Sequence, residues 1–191
     1  MELSVGYGHA TFATLVEGVN AGQDGYSARP VSQYSGTFSL NFRYRISRGT
    51  YIGVGIAYEN ESGTMQELVG TSDNGGITAP TGTFKRRVYS IAPEFAWLYS
   101  HECAKVVQTY GYVGVGYSYL NEINTYSPTY YNLNYNNGIN NLGYSREISN
   151  DHKEITAQFC AVGISIGGTI CGFGEIGFGY KGIINGGVAV K

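Results

Sequence analysis

Hydrophobic and polar residues alternate strictly along the segment 34–46. One phase is aromatic and aliphatic: Tyr34, Gly36, Phe38, Leu40, Phe42, Tyr44 and Ile46. The other phase is small and polar with two arginines: Ser35, Thr37, Ser39, Asn41, Arg43 and Arg45. Because successive side chains of a strand point to opposite faces, a period of two predicts a β-strand and excludes a helix. The polar face has fewer Lys and Glu residues than a solvent-exposed surface normally has. This composition indicates that the face lines the interior of a narrow barrel.

The same alternation recurs in seven other segments: 3–8, 51–59, 89–99, 113–119, 162–167, 175–180 and 184–191. The links are long at 13–32, 62–82 and 121–150, and short at 47–50, 100–105, 167–168 and 181–182. Apart from 181–182, which is short although it falls at the long-loop end, the links are short at one end and long at the other, which is typical of outer-membrane barrels. We therefore predict an all-β fold, an eight-stranded antiparallel up-and-down transmembrane β-barrel in which residues 1–191 form a single domain.

Composition agrees with a protein that exposes little surface to water. Charged residues make up 14% of the chain, well below the usual share, whereas Gly (29) and Tyr (18) are abundant. The net charge of −2 gives no basic patch, which argues against nucleic-acid binding. No apolar run is long enough for a transmembrane helix. We expect a location in the outer membrane of a Gram-negative bacterium, with a signal peptide removed before Met1.

Aromatic residues of the apolar phase form two groups. Near the short turns lie Tyr44, Trp97 and Tyr99, and toward the long loops lie Tyr7, Tyr34, Tyr58, Tyr89, Tyr117, Tyr119 and Tyr180. Such girdles border the apolar band of membrane barrels. The alternative is a soluble, small-ligand-binding barrel with these aromatic side chains in its core. Its solvent face would then be rich in glycine, which weakens a strand unless close approach is required.

Charged residues of the polar phase lie at similar depths in the predicted lumen. These residues are Arg43, Arg45, Glu94 and Glu175. Since an unpaired charge in a narrow interior costs several kcal/mol, we expect one of the arginines to contact one of the glutamates. The cluster would form either an ion or proton path or a plug, and the narrow bore of an eight-stranded barrel favours the plug.

The longest predicted loop is rich in tyrosine and asparagine. Its candidate binding residues are Tyr126, Tyr130, Tyr131, Asn132, Asn134, Tyr135 and Asn136. Tyrosine gives a large contact area at small entropic cost and asparagine gives adaptable hydrogen bonds, a mixture enriched in binding loops. The loop is therefore a candidate site for an extracellular glycan or protein. A polar loop without a ligand has the same composition.

Catalytic and metal-binding patterns are sparse. The histidines are His9, His101 and His152, and no spacing in the chain indicates a metal site, so we expect no metal or cofactor. His9 and His152 are predicted near the long loops, and Glu147, Ser149 and Glu154 are close to His152 in the chain. A deacylase or acyltransferase acting on lipid A would need such a group near the lipid head groups.

Three cysteines fall at different predicted positions. Cys103 lies in a short turn, Cys160 in the lipid-facing phase and Cys171 in the lumen phase. A bridge between Cys103 and Cys171 is sterically feasible in an oxidising compartment, and the default alternative is a buried free thiol.

The last hairpin resembles a known family. Residues 177–187 read Gly-Phe-Gly-Tyr-Lys-Gly-Ile-Ile-Asn-Gly-Gly, and the eight-strand plan precedes them. Together they resemble the small outer-membrane β-barrel proteins of Gram-negative bacteria, the class of the OmpX and OmpA barrels. The resemblance implies a barrel in contact with outer-membrane lipid and lipopolysaccharide. Functions in that class include adhesion, surface defence and lipid modification, so the fold does not select one.

The leading hypothesis is a monomeric barrel with a filled lumen that acts in surface binding, adhesion or envelope integrity. The first alternative is an outer-membrane enzyme that modifies lipid A. The second is the soluble ligand-binding barrel.

Overall fold

The computed structural model of the chain is a closed barrel of eight antiparallel strands in sequence order. It describes residues 1–9, 31–72, 75–99, 106–126 and 146–191. The strands are β1 (Glu2–His9), β2 (Val31–Ser47), β3 (Thr50–Ser72), β4 (Gly75–Leu98), β5 (Val107–Tyr126), β6 (Arg146–Gly167), β7 (Ile170–Gly179) and β8 (Ile184–Val190). The predicted eight-stranded up-and-down topology is confirmed.

Closure of the barrel depends on β1, which pairs with β2 on one side and with β8 on the other. Leu3 lies opposite Phe42 on β2 and opposite Val190 on β8. Each strand of the ring therefore has a neighbour on both sides along part of its length, and closure leaves no continuous free sheet edge there.

The two faces of the barrel differ sharply in polarity. Large apolar side chains on all eight strands point outward and are exposed, as in Leu40 (43%), Val115 (60%) and Ile176 (60%). Polar and charged side chains of the other phase point inward and are buried, among them Asn41, Arg43 and Glu94. A water-soluble globule has the reverse arrangement.

The predicted short turn at 47–50 is confirmed, since β2 ends at Ser47 and β3 begins at Thr50. Gly49 in this turn has a φ of 75°, a conformation that other residues adopt only with strain. The turn after β6 consists of residues 168–169, one position beyond the predicted pair. The predicted short link 100–105 lies outside the described residues.

The predicted long loop 62–82 is wrong. Strands β3 and β4 continue through it as one antiparallel ladder, in which Thr64 faces Thr83 and Thr71 faces Gly76. The predicted loop 121–150 is likewise partly strand, because Asn121 on β5 pairs with Asp151 on β6. Backbone hydrogen bonds hold these extensions together without an apolar face, so hydrophobic alternation gave no signal for them.

Two side chains lie on the opposite face from the one predicted. A bulge between Cys160 and Val162 reverses the alternation of β6, so Cys160 is buried instead of lipid-facing. Tyr180 follows the end of β7 and turns into the barrel, where it is 7% exposed. Cys160 and Cys171 are both free and buried, and Cys103 lies outside the described residues.

Candidate functional site

Arg43 is the centre of a charged cluster in the lumen. Its Nη2 atom lies 3.4 Å from Glu94 Oε2 and 3.7 Å from Glu175 Oε1. Each of the three side chains is at most 5% exposed. The strands place them together because Arg43, Glu94 and Glu175 are all on the inward phase, on β2, β4 and β7.

Lys181 is the fourth charged member and was not predicted from the sequence. Its Nζ atom forms a fully buried ion pair with Glu94 Oε1. The residue belongs to the link 180–183 between β7 and β8, which folds into the barrel rather than away from it. The backbone N–H of Lys181 donates to Gln158 Oε1 at 2.9 Å, and Ile183 N–H donates to the His9 carbonyl at 3.2 Å. These hydrogen bonds hold the link against the inner wall.

Gly8 makes this path sterically possible. A Cβ atom at Gly8 would overlap the carbonyl oxygen of Lys181. The absence of a side chain at this position of β1 therefore lets the link cross the strand closely. We call Arg43, Glu94, Glu175 and Lys181 the ionic plug.

Tyrosine hydroxyls satisfy the carboxylates of the plug. Tyr110 and Tyr112 donate to the two oxygens of Glu175 at 2.8 and 2.9 Å, and Asn185 Nδ2 donates to Oε2 of the same carboxylate at 2.9 Å. Tyr180 donates to Glu94 Oε1 at 2.6 Å. Buried carboxylates are tolerated when their lone pairs are occupied in this way.

The ring of Tyr112 lies close to both cations. The guanidinium carbon of Arg43 is 4.6 Å from the ring centroid, and Lys181 Nζ is 4.5 Å from it. Both distances are within the range of cation–π attraction, which strengthens where water is excluded. Tyr112 itself is fully buried. The plug thus combines two cations and two carboxylates with an aromatic ring that contacts both cations, and Arg43 Nη1 has a further, partly exposed partner in Glu2 Oε1 at 3.4 Å.

Small residues provide the room that these side chains need. Glu94 and the Tyr180 hydroxyl lie against Gly55, and the ring of Tyr110 lies against Gly163. This agrees with the expectation that glycine on the inward phase marks close approach.

Arg45, the second arginine considered in the sequence, is not part of the plug. It is exposed near the end of β2, and its Nε atom donates to the Ser47 carbonyl at 3.1 Å. Arg45 is two positions after Arg43, which corresponds to about 7 Å along the strand. At that distance its head group is close to water at the end of the lumen.

The remaining predicted site residues are dispersed or undescribed. Tyr126 ends β5, whereas Tyr130, Tyr131, Asn132, Asn134, Tyr135 and Asn136 lie outside the described residues. His9 ends β1 and His152 lies on β6, both exposed, and His101 is also undescribed. No three His, Cys, Asp or Glu side chains in the described part of the chain are placed to hold a metal ion. These positions supply no specific observation in favour of lipid A chemistry.

A count of the lumen charges is a sequence signal that could have identified Lys181 but was not used. Two glutamates deep in the lumen need two cations nearby, and Arg45 is too close to the end of β2 to be the second. Lys181 lies in a glycine-flanked link only four residues long. Whether such a link turns inward or outward is not encoded by alternation.

No protein-family model matches this chain, and no curated protein matches it significantly. Within the described ranges, no helix is long and apolar enough to cross a membrane.

Proposed function

We propose that this chain is a monomeric integral barrel of the outer membrane of a Gram-negative bacterium, closed by its ionic plug, which acts at the cell surface by binding or by supporting the envelope. The inverted distribution of side chains carries this proposal. Charges are buried inside the ring, and large apolar side chains are exposed on every strand. A soluble ligand-binding barrel would place its apolar face inside, where this one places Arg43, Glu94 and Glu175.

A row of aromatic rings on the outer face is consistent with one boundary of an apolar band. Five adjacent strands contribute neighbouring residues in register: Tyr7, Phe38, Tyr58, Tyr89 and Tyr119. The ring centroids of Tyr58 and Tyr89 are 5.0 Å apart, and those of Tyr89 and Tyr119 are 6.5 Å apart. Rings with polar tips favour the membrane–water interface.

The outer face becomes polar directly beyond this row. Two residues farther along, neighbouring strands carry Asn60, Arg87, Asn121 and Asp151 in register. Asn121 Nδ2 donates to Asp151 Oδ1 at 2.7 Å. A change from aromatic to charged side chains within one repeat of the strand is expected where hydrocarbon gives way to lipopolysaccharide head groups and water.

The height of the apolar surface matches a bilayer. At the short-turn end, Trp97 near the end of β4 and Tyr99 just beyond it pack edge to face with centroids 6.2 Å apart. Tyr89 and Tyr99 are separated by ten residues of the same chain segment. Ten residues span about 33 Å along a strand, and a tilt of about 40° reduces this to about 25 Å, the height of the apolar band of such barrels.

Trp97 allows a direct test, since it is the chain's one tryptophan. In a W97F background, Val115→Trp places a tryptophan at mid-height on the outer face, and Tyr180→Trp places one at similar height inside the barrel, beside Ala92. In vesicles of phospholipid brominated at mid-chain, V115W fluorescence should be strongly quenched and Y180W fluorescence weakly quenched. Equal quenching of the two, or protein that fails to float with the vesicles, would contradict membrane insertion.

The surface role needs a separate test. Residues 127–145 connect Tyr126 and Arg146, which pair at the end of the β5–β6 ladder. Replacing 127–145 by a short Gly/Ser turn should leave the barrel folded, because loop closure free energy varies slowly with length. Binding to an immobilised glycan panel should be lost. The matched control inserts the same Gly/Ser segment at 48–49, at the opposite end of the barrel, and should bind as the unaltered protein does.

Loss of binding in both variants would contradict a role for the loop. If the unaltered protein binds neither a glycan nor a cell-surface protein, the alternative role in envelope support is tested instead. Cells lacking the protein should then become more sensitive to detergent, and unchanged sensitivity would contradict that role.

A further inference from the structure

A polar groove of about 580 Å³ lies on the outer face of the barrel, across strands β3 to β6 and beyond the row of aromatic rings. Four hydroxyl side chains line it: Ser62, Thr64, Thr83 and Thr125. The four strands pair with one another through this region, so a continuous sheet forms the floor of the groove. We call it the outer groove.

Two cations on one strand project side by side into the outer groove. Lys85 and Arg87 share the outward phase of β4 with Tyr89 and are two positions apart. Their Cα atoms are therefore about 7 Å apart, a separation that two long side chains can close around a single anion. Lys85 is exposed and Arg87 is half-buried. Neither head group forms an ion pair with another residue of the described ranges.

The carboxylates nearest to the outer groove lie on a different strand from these cations. Glu147 lines the groove from β6, so the whole width of β5 separates it from β4. Asp151, also on β6, accepts a hydrogen bond from Asn121 at 2.7 Å. Two strand spacings amount to about 10 Å, which is longer than an ion pair. Lys85 and Arg87 are therefore available to an anion that enters the groove.

The two cations lie at the depth of lipid head groups if the barrel is inserted as proposed. Arg87 is two residues and Lys85 four residues beyond Tyr89. With a rise of about 3.3 Å per residue and a tilt of about 40°, these positions are about 5 and 10 Å above the aromatic row. A head-group layer extends about 5–8 Å beyond the hydrocarbon. Both side chains can therefore reach a phosphate group that is attached to a lipid, because their long stems extend along the surface.

We propose that the outer groove binds the phosphorylated sugar head group of a glycolipid in the outer leaflet. Lys85 and Arg87 contact a phosphate, to which the arginine donates paired hydrogen bonds, and the hydroxyls of Thr83 and Thr125 contact the sugar. The acyl chains of the same lipid lie against the apolar face on the other side of Tyr89. This continuity of a cationic, hydroxyl-lined groove with an apolar face selects a lipid over a soluble anion. The inference rests on the proposed membrane location.

The test is native mass spectrometry of the purified barrel in detergent, titrated with bisphosphorylated lipid A in the presence of EDTA. The chelator removes divalent cations that would join Glu147 to a phosphate. We expect one lipid A per barrel, bound at least tenfold more tightly than lipid A from which both phosphates have been removed. The two lipids have the same acyl chains, so equal affinity for them would overturn the proposal.

A soluble sugar phosphate distinguishes the source of the head group. Glucosamine 1-phosphate should bind at least tenfold more weakly than bisphosphorylated lipid A, because it lacks the acyl chains that pack against the apolar face. Equal affinity for the soluble compound would contradict a lipid ligand.

Two double variants locate the site. K85Q/R87Q should bind bisphosphorylated lipid A about tenfold more weakly and bind the dephosphorylated lipid as before. The matched control R45Q/R48Q removes the same charge at the opposite end of the barrel, where both arginines are exposed, and should bind as the unaltered protein does. Unchanged affinity in K85Q/R87Q, or equal weakening in the two variants, would refute the site. If K85Q/R87Q does not fold, the comparison of the two lipids decides alone.

Failure of this proposal is distinguishable from failure of the membrane assignment. Quenching of V115W by brominated lipid reports insertion independently of the outer groove. A barrel that inserts and binds the two lipids equally refutes the outer groove alone, whereas a barrel that does not insert refutes both.

Discussion

Glu94 is the side chain whose charge should matter most to the stability of the barrel. Its carboxylate contacts Arg43 at 3.4 Å, forms the buried ion pair with Lys181, and accepts the Tyr180 hydroxyl at 2.6 Å. Glu94→Gln keeps the shape of the side chain and removes its charge. The plug is then left with two cations and one carboxylate in a space closed to water.

The expected loss of unfolding free energy follows from that charge imbalance. Breaking a buried ion pair by removing one partner costs about 3–5 kcal/mol, because the other charge stays desolvated. The amide of E94Q still accepts hydrogen bonds, so we expect the lower end, about 3 kcal/mol. Because the free energy of unfolding falls by about 1–3 kcal/mol for each M of urea, the urea concentration at the unfolding midpoint should fall by about 1–3 M.

A double-mutant cycle with Lys181 isolates the ion pair. Lys181→Met alone leaves the buried carboxylates of Glu94 and Glu175, besides the partly exposed Glu2, against Arg43 and should also be destabilising. The double variant E94Q/K181M removes one charge of each sign, so the net charge of the plug stays that of the unaltered protein. Its loss of unfolding free energy should therefore be smaller than the sum of the two single losses by about 1–3 kcal/mol.

The assay is urea unfolding of protein folded in detergent micelles, followed by Trp97 emission and by the migration of unheated samples on gels. Glu154→Gln, at an exposed position, is the control and should change the unfolding free energy by no more than about 0.5 kcal/mol. The reasoning is refuted if E94Q unfolds at the same midpoint as E154Q, or if the losses of the single variants simply add.

Two further predictions concern the filling of the lumen. Planar bilayers containing the purified protein should show no stable single-channel steps, because Arg43, Tyr112 and Lys181 are packed across the bore; steady unit conductance would show that the plug is open. Gly163→Val should destabilise the barrel by about 1–3 kcal/mol, since the ring of Tyr110 occupies the space of the new side chain. Gly174→Val, where nothing lies within 4 Å of a Cβ atom, is the matched control, and equal urea midpoints for the two variants would contradict the packing argument.

Alternation was sufficient to predict the strands and their two faces. In β2, Phe38, Leu40 and Phe42 are exposed while Ser39, Asn41 and Arg43 are buried, as the period of two requires. This information is local, because the direction of a strand side chain depends only on the parity of its position. The proximity of Arg43 to Glu94 also followed from parity and depth.

Strand ends and interruptions were not predictable in the same way. The ladder from Gly63 to Ser72 on β3 has no consistent apolar face, so alternation did not reveal it, although the Asn-Gly turn signal at 74–75 directly follows it. The inward orientation of Cys160 results from a bulge between Cys160 and Val162. The extra residue of the bulge interrupts the alternation, so the residues on its two sides follow opposite inward and outward phases.

By itself, the sequence determined the number of strands, their antiparallel order and the inside-out polarity of the barrel, since each depends on spacing along the chain. The tertiary structure decided which way the link 180–183 folds, and hence that Lys181 completes the plug and that Tyr180 is buried in the barrel. It also decided that β6 extends beyond β7, because the length of one strand matters only relative to its neighbours. Charge balance and close packing act among residues far apart in the chain, and only the closed barrel brings them into contact.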